Sequence, residues 1–231
     1  MFNAMDLFPY TVSAGIGIVV GIILLFISTA LEKKMTERRE IPYRETGNNG
    51  VLILMLCILC GFFAVRYGTG MRTLFLMVSL FALFTLSVTD AKYRIIPNSM
   101  VLTLILARLL LDFGSFREPG VLKDALFGAG FGLVAFMAPS LTGAHIGYGD
   151  VKLAAASGFA FGLSIFLPSV CIMGLILLAD TLVFSRIGTA GAMTFSAALK
   201  RKVPLGPALS AALTVMLIIN GFVPVKEVIG L

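Results

Sequence analysis

Three aspartates in this sequence, Asp90, Asp150 and Asp180, stand apart from the other acidic residues, which are assigned to the loops. Asp90 ends one block, Asp150 begins another, and Asp180 lies inside a third. A charge within a membrane costs free energy and is usually functional. Two neighbouring carboxyl groups can activate water, since an ionised one accepts a proton while a protonated partner polarises the carbonyl under attack. Asp90 and Asp150 are the candidates for such a pair.

The residues around Asp150 fit this chemistry. Gly147 and Gly149 lack a Cβ atom and would let a substrate backbone approach closely. The alternative for each aspartate is an interfacial charge or a helix cap. Asp180 is assigned to structure, with a functional role left open. His145 is the single histidine, so a histidine-rich metal site is excluded. We expect neither a metal nor a cofactor.

The composition identifies the solvent of this chain as lipid. The 231 residues are 58% hydrophobic and only 13% charged, with a mean hydropathy of +1.01, whereas a soluble domain carries about 25% charged residues. The hydrophobic residues form long blocks, which predicts an all-α polytopic membrane protein. A nucleic-acid binder could share the net charge of +6. Here the basic residues cluster between apolar blocks, so we expect the lipid bilayer and no nucleic acid as a partner.

Eight apolar blocks are predicted to cross the bilayer as helices. They cover residues 11–31, 50–66, 72–89, 98–112, 124–141, 151–166, 169–185 and 206–223. Pro168 lacks an N–H donor and is expected to separate the sixth span from the seventh. No Lys or Arg precedes the first block, so we expect it to remain as a helix rather than be removed as a signal peptide.

The distribution of basic residues predicts the orientation. Twelve Lys and Arg residues lie in the loops after spans 1, 3, 5 and 7, against five on the other side. We therefore expect those loops to be cytoplasmic and both termini to lie outside the cell membrane. This arrangement places Asp90 and Asp150 at the same, cytoplasmic, end of two non-adjacent helices. The oligomeric state is not predicted by the sequence.

The chain is divided into residues 1–49, a first transmembrane helix with a short charged cytoplasmic loop, and residues 50–231, a seven-helix core. Residues 32–49 are interpreted as a solvated linker or a short amphipathic piece, and 186–205 as a cytoplasmic helix lying at the interface. Cys57 and Cys60 form a C-x-x-C spacing inside an apolar block, for which packing is favoured over metal or redox work.

Small residues predict where helices approach closely. The spacings Gly128-x-x-x-Gly132 and Gly158-x-x-x-Gly162 place glycines on one face of spans 5 and 6. Such faces allow two helices to pack with their backbones close together. We interpret these glycines as packing residues.

Three segments resemble a known family. Gly147-Tyr148-Gly149-Asp150, followed by Val151-Lys152-Leu153, is similar to the G-x-G-D motif of the prepilin and preflagellin peptidases, which presenilin and signal peptide peptidase share. Asp90 with Arg94-Ile95-Ile96-Pro97-Asn98 resembles the segment around the first catalytic aspartate of that family. Lys202-Val203-Pro204-Leu205-Gly206-Pro207 resembles its C-terminal proline-glycine-proline segment.

The resemblance implies a G-x-G-D aspartyl protease bundle of about eight transmembrane helices with Asp90 and Asp150 catalytic. Its expected activity is cleavage of the leader peptides of type IV prepilin-like precursors (pilins, pseudopilins or flagellin-like proteins) at the cytoplasmic membrane face. Residues expected to shape the site or bind substrate are Gly147, Gly149, Lys152, Pro97, Asn98, Pro204, Gly206 and Pro207. The acids Glu32, Glu37, Glu40 and Glu45 could receive a basic leader, although solvated loop charge is the favoured interpretation.

One departure from the family concerns a second activity. Bifunctional members carry a larger insert with two C-x-x-C pairs between spans 1 and 2 and also N-methylate the new terminus. The segment 32–49 has no cysteine, so cleavage without methylation is expected. The alternative function is a small proton-coupled transporter, which predicts acids near the bilayer midplane and repeat symmetry. Neither is evident in the sequence.

A helix-dipole argument predicts how a proton is shared. Asp150 lies at the N-terminus of its helix, where negative charge is favoured, and Asp90 lies at the C-terminus of its own. We therefore expect Asp150 to be the more acidic partner and to activate water. Asp90 would then carry the shared proton.

Overall fold

The computed structural model describes residues 4–42, 49–68, 70–112, 119–141, 147–187 and 203–220. Over these ranges the regular structure is entirely helical and comprises eight helices. Their bounds are α1 Ala4–Arg38, α2 Asn49–Tyr67, α3 Met71–Tyr93, α4 Asn98–Leu111, α5 Pro119–Leu141, α6 Tyr148–Phe161, α7 Leu163–Ile187 and α8 Leu205–Asn220. The predicted all-α fold is confirmed.

Several helices have the length and polarity of membrane spans. In the described part of the chain, four are long and apolar enough to cross a bilayer: Ala14–Arg38, Met71–Tyr93, Gly120–Pro139 and Leu163–Val183. Three shorter helices, Leu54–Tyr67, Asn98–Leu111 and Leu205–Ile219, are also apolar. Large apolar side chains such as Phe26 and Leu110 face outward, as expected of helices whose solvent is lipid.

Helix α3 lies at the centre of the bundle. Helices α1, α2, α4 and α8 all pack against it, and Leu76, Leu80, Leu83 and Leu86 on its surface are almost completely buried. A helix that is hydrophobic on all sides is either enclosed by other helices or surrounded by lipid, and α3 is enclosed. The enclosed position of α3 fixes the residues at both of its ends.

The break between α6 and α7 lies at Gly162, and the prediction that Pro168 separates them was wrong. Gly162 has a φ of 76°, a conformation that L side chains rarely adopt, and a Cβ atom there would overlap the carboxyl group of Asp124. Pro168 instead lies inside α7. Membrane helices tolerate an internal proline when neighbouring groups satisfy the freed carbonyl, so the glycine determines the turn.

The glycine-rich faces of α5 and α6 meet as predicted. A Cβ atom on Gly128 or Gly158 would overlap the backbone of the opposite helix, and one on Gly132 would lie 2.5 Å from the carbonyl oxygen of Ala154. The two backbones therefore approach as closely as small residues permit. This contact fixes α6 against α5.

Helix α1 meets α2 in a similar way. A Cβ atom on Gly17 would lie 2.6 Å from the carbonyl oxygen of Cys60, and one on Gly21 would lie 3.1 Å from Cα of Cys57. Both cysteines are buried, in agreement with their interpretation as packing residues.

The structure tests one of the two predictions made for the cytoplasmic segments, and the other lies largely outside the described residues. The expected start of a solvated linker at residue 32 was wrong, because α1 continues as a helix to Arg38. The expected interfacial helix at 186–205 falls largely outside the described residues, as do His145 and Glu45.

Candidate active site

Asp90 lies in the last turn of α3 and is 5% exposed. Its Oδ2 atom accepts a hydrogen bond of 2.8 Å from the backbone N–H of Gly206. This N–H belongs to the first turn of α8, where backbone donors have no partner within the helix. A Cβ atom on Gly206 would lie only 2.7 Å from Asp90 Oδ2. Only glycine therefore allows the helix end to approach this carboxyl group.

Asp150 lies in the first turn of α6, just before the predicted span 151–166, and is half-buried. Gly147 is the N-cap of this helix, and a Cβ atom there would lie 3.2 Å from Asp150 Oδ2. Among the described residues, no side chain forms an ion pair or a hydrogen bond with the Asp150 carboxyl group. Burial, together with the negative charge of Asp90, raises the pKa of Asp150 to about 6.

The segments that carry the two aspartates meet at the same end of the bundle. A Cβ atom on Gly149 would lie 3.4 Å from Cβ of Ile96, so the glycine motif packs against the segment that follows Asp90. Helices α4 and α8 each pack against both α3 and α6. The three sequence segments that resemble the peptidase family therefore converge in space, and the charge of Asp90 acts on Asp150.

A tight connection between α3 and α4 helps to bring these segments together. Arg94 ends α3 in the left-handed region with a φ of 53°, and its N–H donates to the carbonyl oxygen of Asp90 at 2.9 Å. Pro97 then forms the N-cap of α4 with a φ of −67°. Proline is favoured at a helix start because it needs no hydrogen-bond partner for its nitrogen. The chain thus returns into the bundle within a few residues of Asp90.

The predicted site residues fall into two groups. Gly147, Gly149 and Gly206 lie against the aspartates or against the segment between them, whereas Lys152 and Asn98 are exposed. Pro204 precedes α8 and Pro207 lies in its first turn, both partly buried. Pro97 and Asn98 also line a cavity on the α1 side of α3.

One interaction near the site was missed by sequence reasoning. Glu32 is buried, its Oε1 lies 2.6 Å from Lys92 Nζ, and it accepts a hydrogen bond of 3.2 Å from the hydroxyl of Tyr93. The interpretation of Glu32 as a solvated loop charge was therefore wrong. The contact ties α1 to the end of α3. An acid just after an apolar helix was its only signal in the sequence.

The opposite end of the bundle holds a different set of charges. Arg108 and Asp112 form a buried ion pair at the end of α4, and Arg108 Nη1 donates to the carbonyl oxygen of Ala160 at 3.0 Å. Asp124 Oδ1 accepts from the backbone N–H of Ser164 at 3.4 Å, beside the turn between α6 and α7. These groups hold the far ends of α4, α6 and α7.

The contacts favour an order of acidity opposite to that predicted from the helix dipoles. The Gly206 N–H stabilises the ionised form of Asp90, while the raised pKa of Asp150 favours its protonated form. The prediction from the helix dipoles considered each aspartate only against its own helix. The start of α8 points at Asp90 and was not included in that argument.

These features define a helical membrane-type bundle with a pair of interacting aspartates at one end. Residues 77–183 match the model of the type IV leader peptidase family, and the resemblance found in the sequence is confirmed. The matched region contains Asp90 and Asp150.

Curated relatives give the same result. The chain is 31% identical over 166 residues to a prepilin leader peptidase/N-methyltransferase of Pseudomonas aeruginosa, covering 69% of this chain and 54% of the relative. It is 30% identical over 169 residues to that of Stutzerimonas stutzeri, covering 70% and 55%. It is 28% identical over 151 residues to that of Bacillus subtilis, covering 64% and 56%. The chain thus spans about half the length of these relatives. No solved structure matches it.

Proposed function

We propose that this protein is a membrane aspartyl endopeptidase that cleaves the leader peptides of type IV prepilin-like precursors at the cytoplasmic membrane face. The observation that carries the proposal is the convergence of Asp90, Asp150 and Gly206 at one end of the bundle. The family of the matched region supports the reaction, and the relatives, which are prepilin leader peptidases, support the substrate class.

We propose a different role for each aspartate. Asp90, ionised and held by the Gly206 N–H, accepts a proton from water as the oxygen attacks the scissile carbonyl carbon. Asp150, whose pKa is raised to about 6 and which therefore takes up a proton more readily than an ordinary aspartate, donates that proton to the carbonyl oxygen. When the resulting diol collapses, the C–N bond breaks and Asp90 passes its proton to the leaving amine. A diol hydroxyl returns a proton to Asp150, and the starting state is restored.

The membrane arrangement is part of the proposal. We place about eight spans across the cell membrane, both termini outside, and the aspartates at the cytoplasmic face, in agreement with the distribution of basic residues. Residues 1–49 form a first helix with a short charged segment, and 50–231 form the protease core. Beside the aspartates, Gly147, Gly149 and Lys152 on α6 and the prolines at the starts of α4 and α8 form the surfaces that a substrate backbone would contact.

We propose cleavage without methylation. The relatives are named as bifunctional peptidases and N-methyltransferases, but the segment 32–49 of this chain contains no cysteine. It therefore lacks the thiolates of a C-x-x-C metal site in the position where bifunctional members carry one. The expected product of this protein is a cleaved pilin-like chain with a free amine.

The decisive experiment uses the purified full chain in detergent with a prepilin-like substrate that has a basic leader and a hydrophobic helix. Mass spectrometry should show one cut with the wild type and none with Asp90→Asn or Asp150→Asn. Asp124→Asn serves as the matched control, because Asp124 lies at the other end of the bundle. Full turnover in either site variant would exclude the proposal. A methyl group added from S-adenosylmethionine would exclude only the second part.

A further inference from the structure

A cavity of about 370 Å³ lies on the α1 side of α3, whereas Asp90 faces α8. It is enclosed by the end of α1, the last turns of α3 and the start of α4. Leu31, Met35 and Met100 give it an apolar floor. The cavity therefore lies at the predicted cytoplasmic end of the bundle but outside the aspartate pair.

The rim of this cavity is strongly basic. Lys34, Arg38 and Arg39 line it, and all three are exposed. The one acid in the lining, Glu32, lies 2.6 Å from Lys92 Nζ, so its charge is compensated. The cavity thus presents an excess of positive charge above an apolar floor.

The charges on α1 are divided between two faces. Lys33, Glu37 and Glu40 line a separate cavity on the other side of this helix. The basic excess is therefore confined to the face that looks towards α3 and α4. This face therefore attracts an anionic partner more strongly than the opposite face of the helix does.

The start of α4 adds to the attraction for an anion. Pro97, Asn98 and Ser99 line the cavity, and the N–H groups of Asn98 and Ser99 precede the first hydrogen bond of the helix, which Met100 N–H donates to the carbonyl oxygen of Pro97. The positive end of the helix dipole therefore points in the same direction as the basic rim. An anion above the floor would meet both.

We propose that this cavity binds the headgroup of an anionic phospholipid from the leaflet at the predicted cytoplasmic end. The phosphate would meet Lys34, Arg38 and Arg39, and the start of an acyl chain would cover Leu31 and Met35. A free phosphate ion would satisfy the rim but leave the floor unused, so the lipid is the better match. Each basic residue near such a headgroup strengthens binding about five-fold.

The test measures binding to the full chain in a non-ionic detergent and does not depend on the proposed protease activity. The thermal unfolding midpoint is followed while short-chain phosphatidylglycerol, phosphatidylcholine of the same chain length, or inorganic phosphate is titrated. Lys34→Gln is compared with Lys33→Gln, its neighbour on the other face, which changes the net charge equally. The double variant Lys34→Gln with Arg38→Gln extends the series.

Phosphatidylglycerol should raise the midpoint at concentrations where phosphatidylcholine does not. Its apparent affinity should fall about five-fold in Lys34→Gln, fall further in the double variant, and stay unchanged in Lys33→Gln. Equal shifts with both lipids, or equal losses in Lys33→Gln and Lys34→Gln, would overturn the site. An equally large shift with inorganic phosphate would overturn its assignment to lipid.

Discussion

At the end of the bundle that carries the α6–α7 turn, each described carboxylate has a specific partner. Asp112 pairs with Arg108, and Asp124 accepts the N–H of Ser164. At the other end, Asp90 receives one backbone N–H, and Asp150 has no ion pair or hydrogen bond among the described residues. The comparison separates two uses of one residue type: paired carboxylates stabilise the fold, and an incompletely satisfied pair keeps its protons exchangeable.

The strongest way to break this comparison is to neutralise one aspartate at each end. Asp90→Asn should lower the cleavage rate by about 10²–10⁴-fold, because it removes a group that transfers a proton. Asp124→Asn should leave the rate per folded molecule nearly unchanged, since an amide oxygen can still accept from Ser164 N–H. Initial rates on a prepilin-like substrate measure both. Equal losses at the two ends would show that the contrast is not functional.

The reverse contrast should appear in stability. Arg108→Gln leaves Asp112 buried without its cationic partner and should cost about 3 kcal/mol of unfolding free energy. Replacing both residues with Arg108→Met and Asp112→Leu should recover most of this loss, because no uncompensated charge remains. Thermal unfolding midpoints in detergent check both variants. A destabilised double variant would mean that the bond from Arg108 to Ala160, and not the ion pair, is what matters.

A substitution at Gly206 tests whether its close approach to Asp90 matters for cleavage. Gly206→Ala places a methyl group 2.7 Å from Asp90 Oδ2 and should displace the carboxyl group. A shift of about 1 Å in a catalytic group costs roughly 10²-fold in rate. Gly174→Ala on α7 is the matched control, because a Cβ atom there meets nothing within 4 Å. Comparable rates for the two alanine variants would refute the role of Gly206.

The smallest expected effect concerns pH and stability. Since the pKa of Asp150 is raised to about 6, its contribution to stability is fully present below about pH 4 and is lost as the pH rises through 6. Asp150→Asn should therefore stabilise the protein by about 1 kcal/mol at pH 7.5, after allowance for solvent screening, and by nothing near pH 4. Unfolding midpoints across this range measure the effect. A pH-independent difference would point to packing instead.

Much of the fold could be predicted from the sequence, because apolar length and basic loops are local signals. The apolar blocks became helices, and the glycine faces of α5 and α6 met as their spacing indicated. The prediction that Pro168 ends a helix was wrong. A proline inside a helix leaves one backbone carbonyl without its usual donor, and whether neighbouring groups satisfy that carbonyl cannot be seen in the local sequence. Gly162 was read only as a packing residue, yet its positive φ forms the turn.

The candidate site was predictable in its members but not in its chemistry. Asp90 and Asp150 were identified from their positions at the ends of apolar blocks and from the family motifs. Gly206, whose N–H stabilises the ionised form of Asp90, lies more than a hundred residues from Asp90 along the chain and donates through its backbone. A backbone donor leaves no side-chain signature, so the sequence could not reveal that contact. The pairing of Glu32 with Lys92 could not be predicted either, because the two residues lie far apart along the chain.

The glycine contact between α5 and α6 has a mechanical consequence for Asp150. With Gly128 against Gly158 and Gly132 against Ala154, the two backbones are interlocked and cannot slide without a steric clash. We therefore expect α5 and α6 to move together. On the proposed function, we expect a peptide to reach the aspartates through a displacement of this pair of helices relative to α3 and α8, and not through a bending of α6 alone.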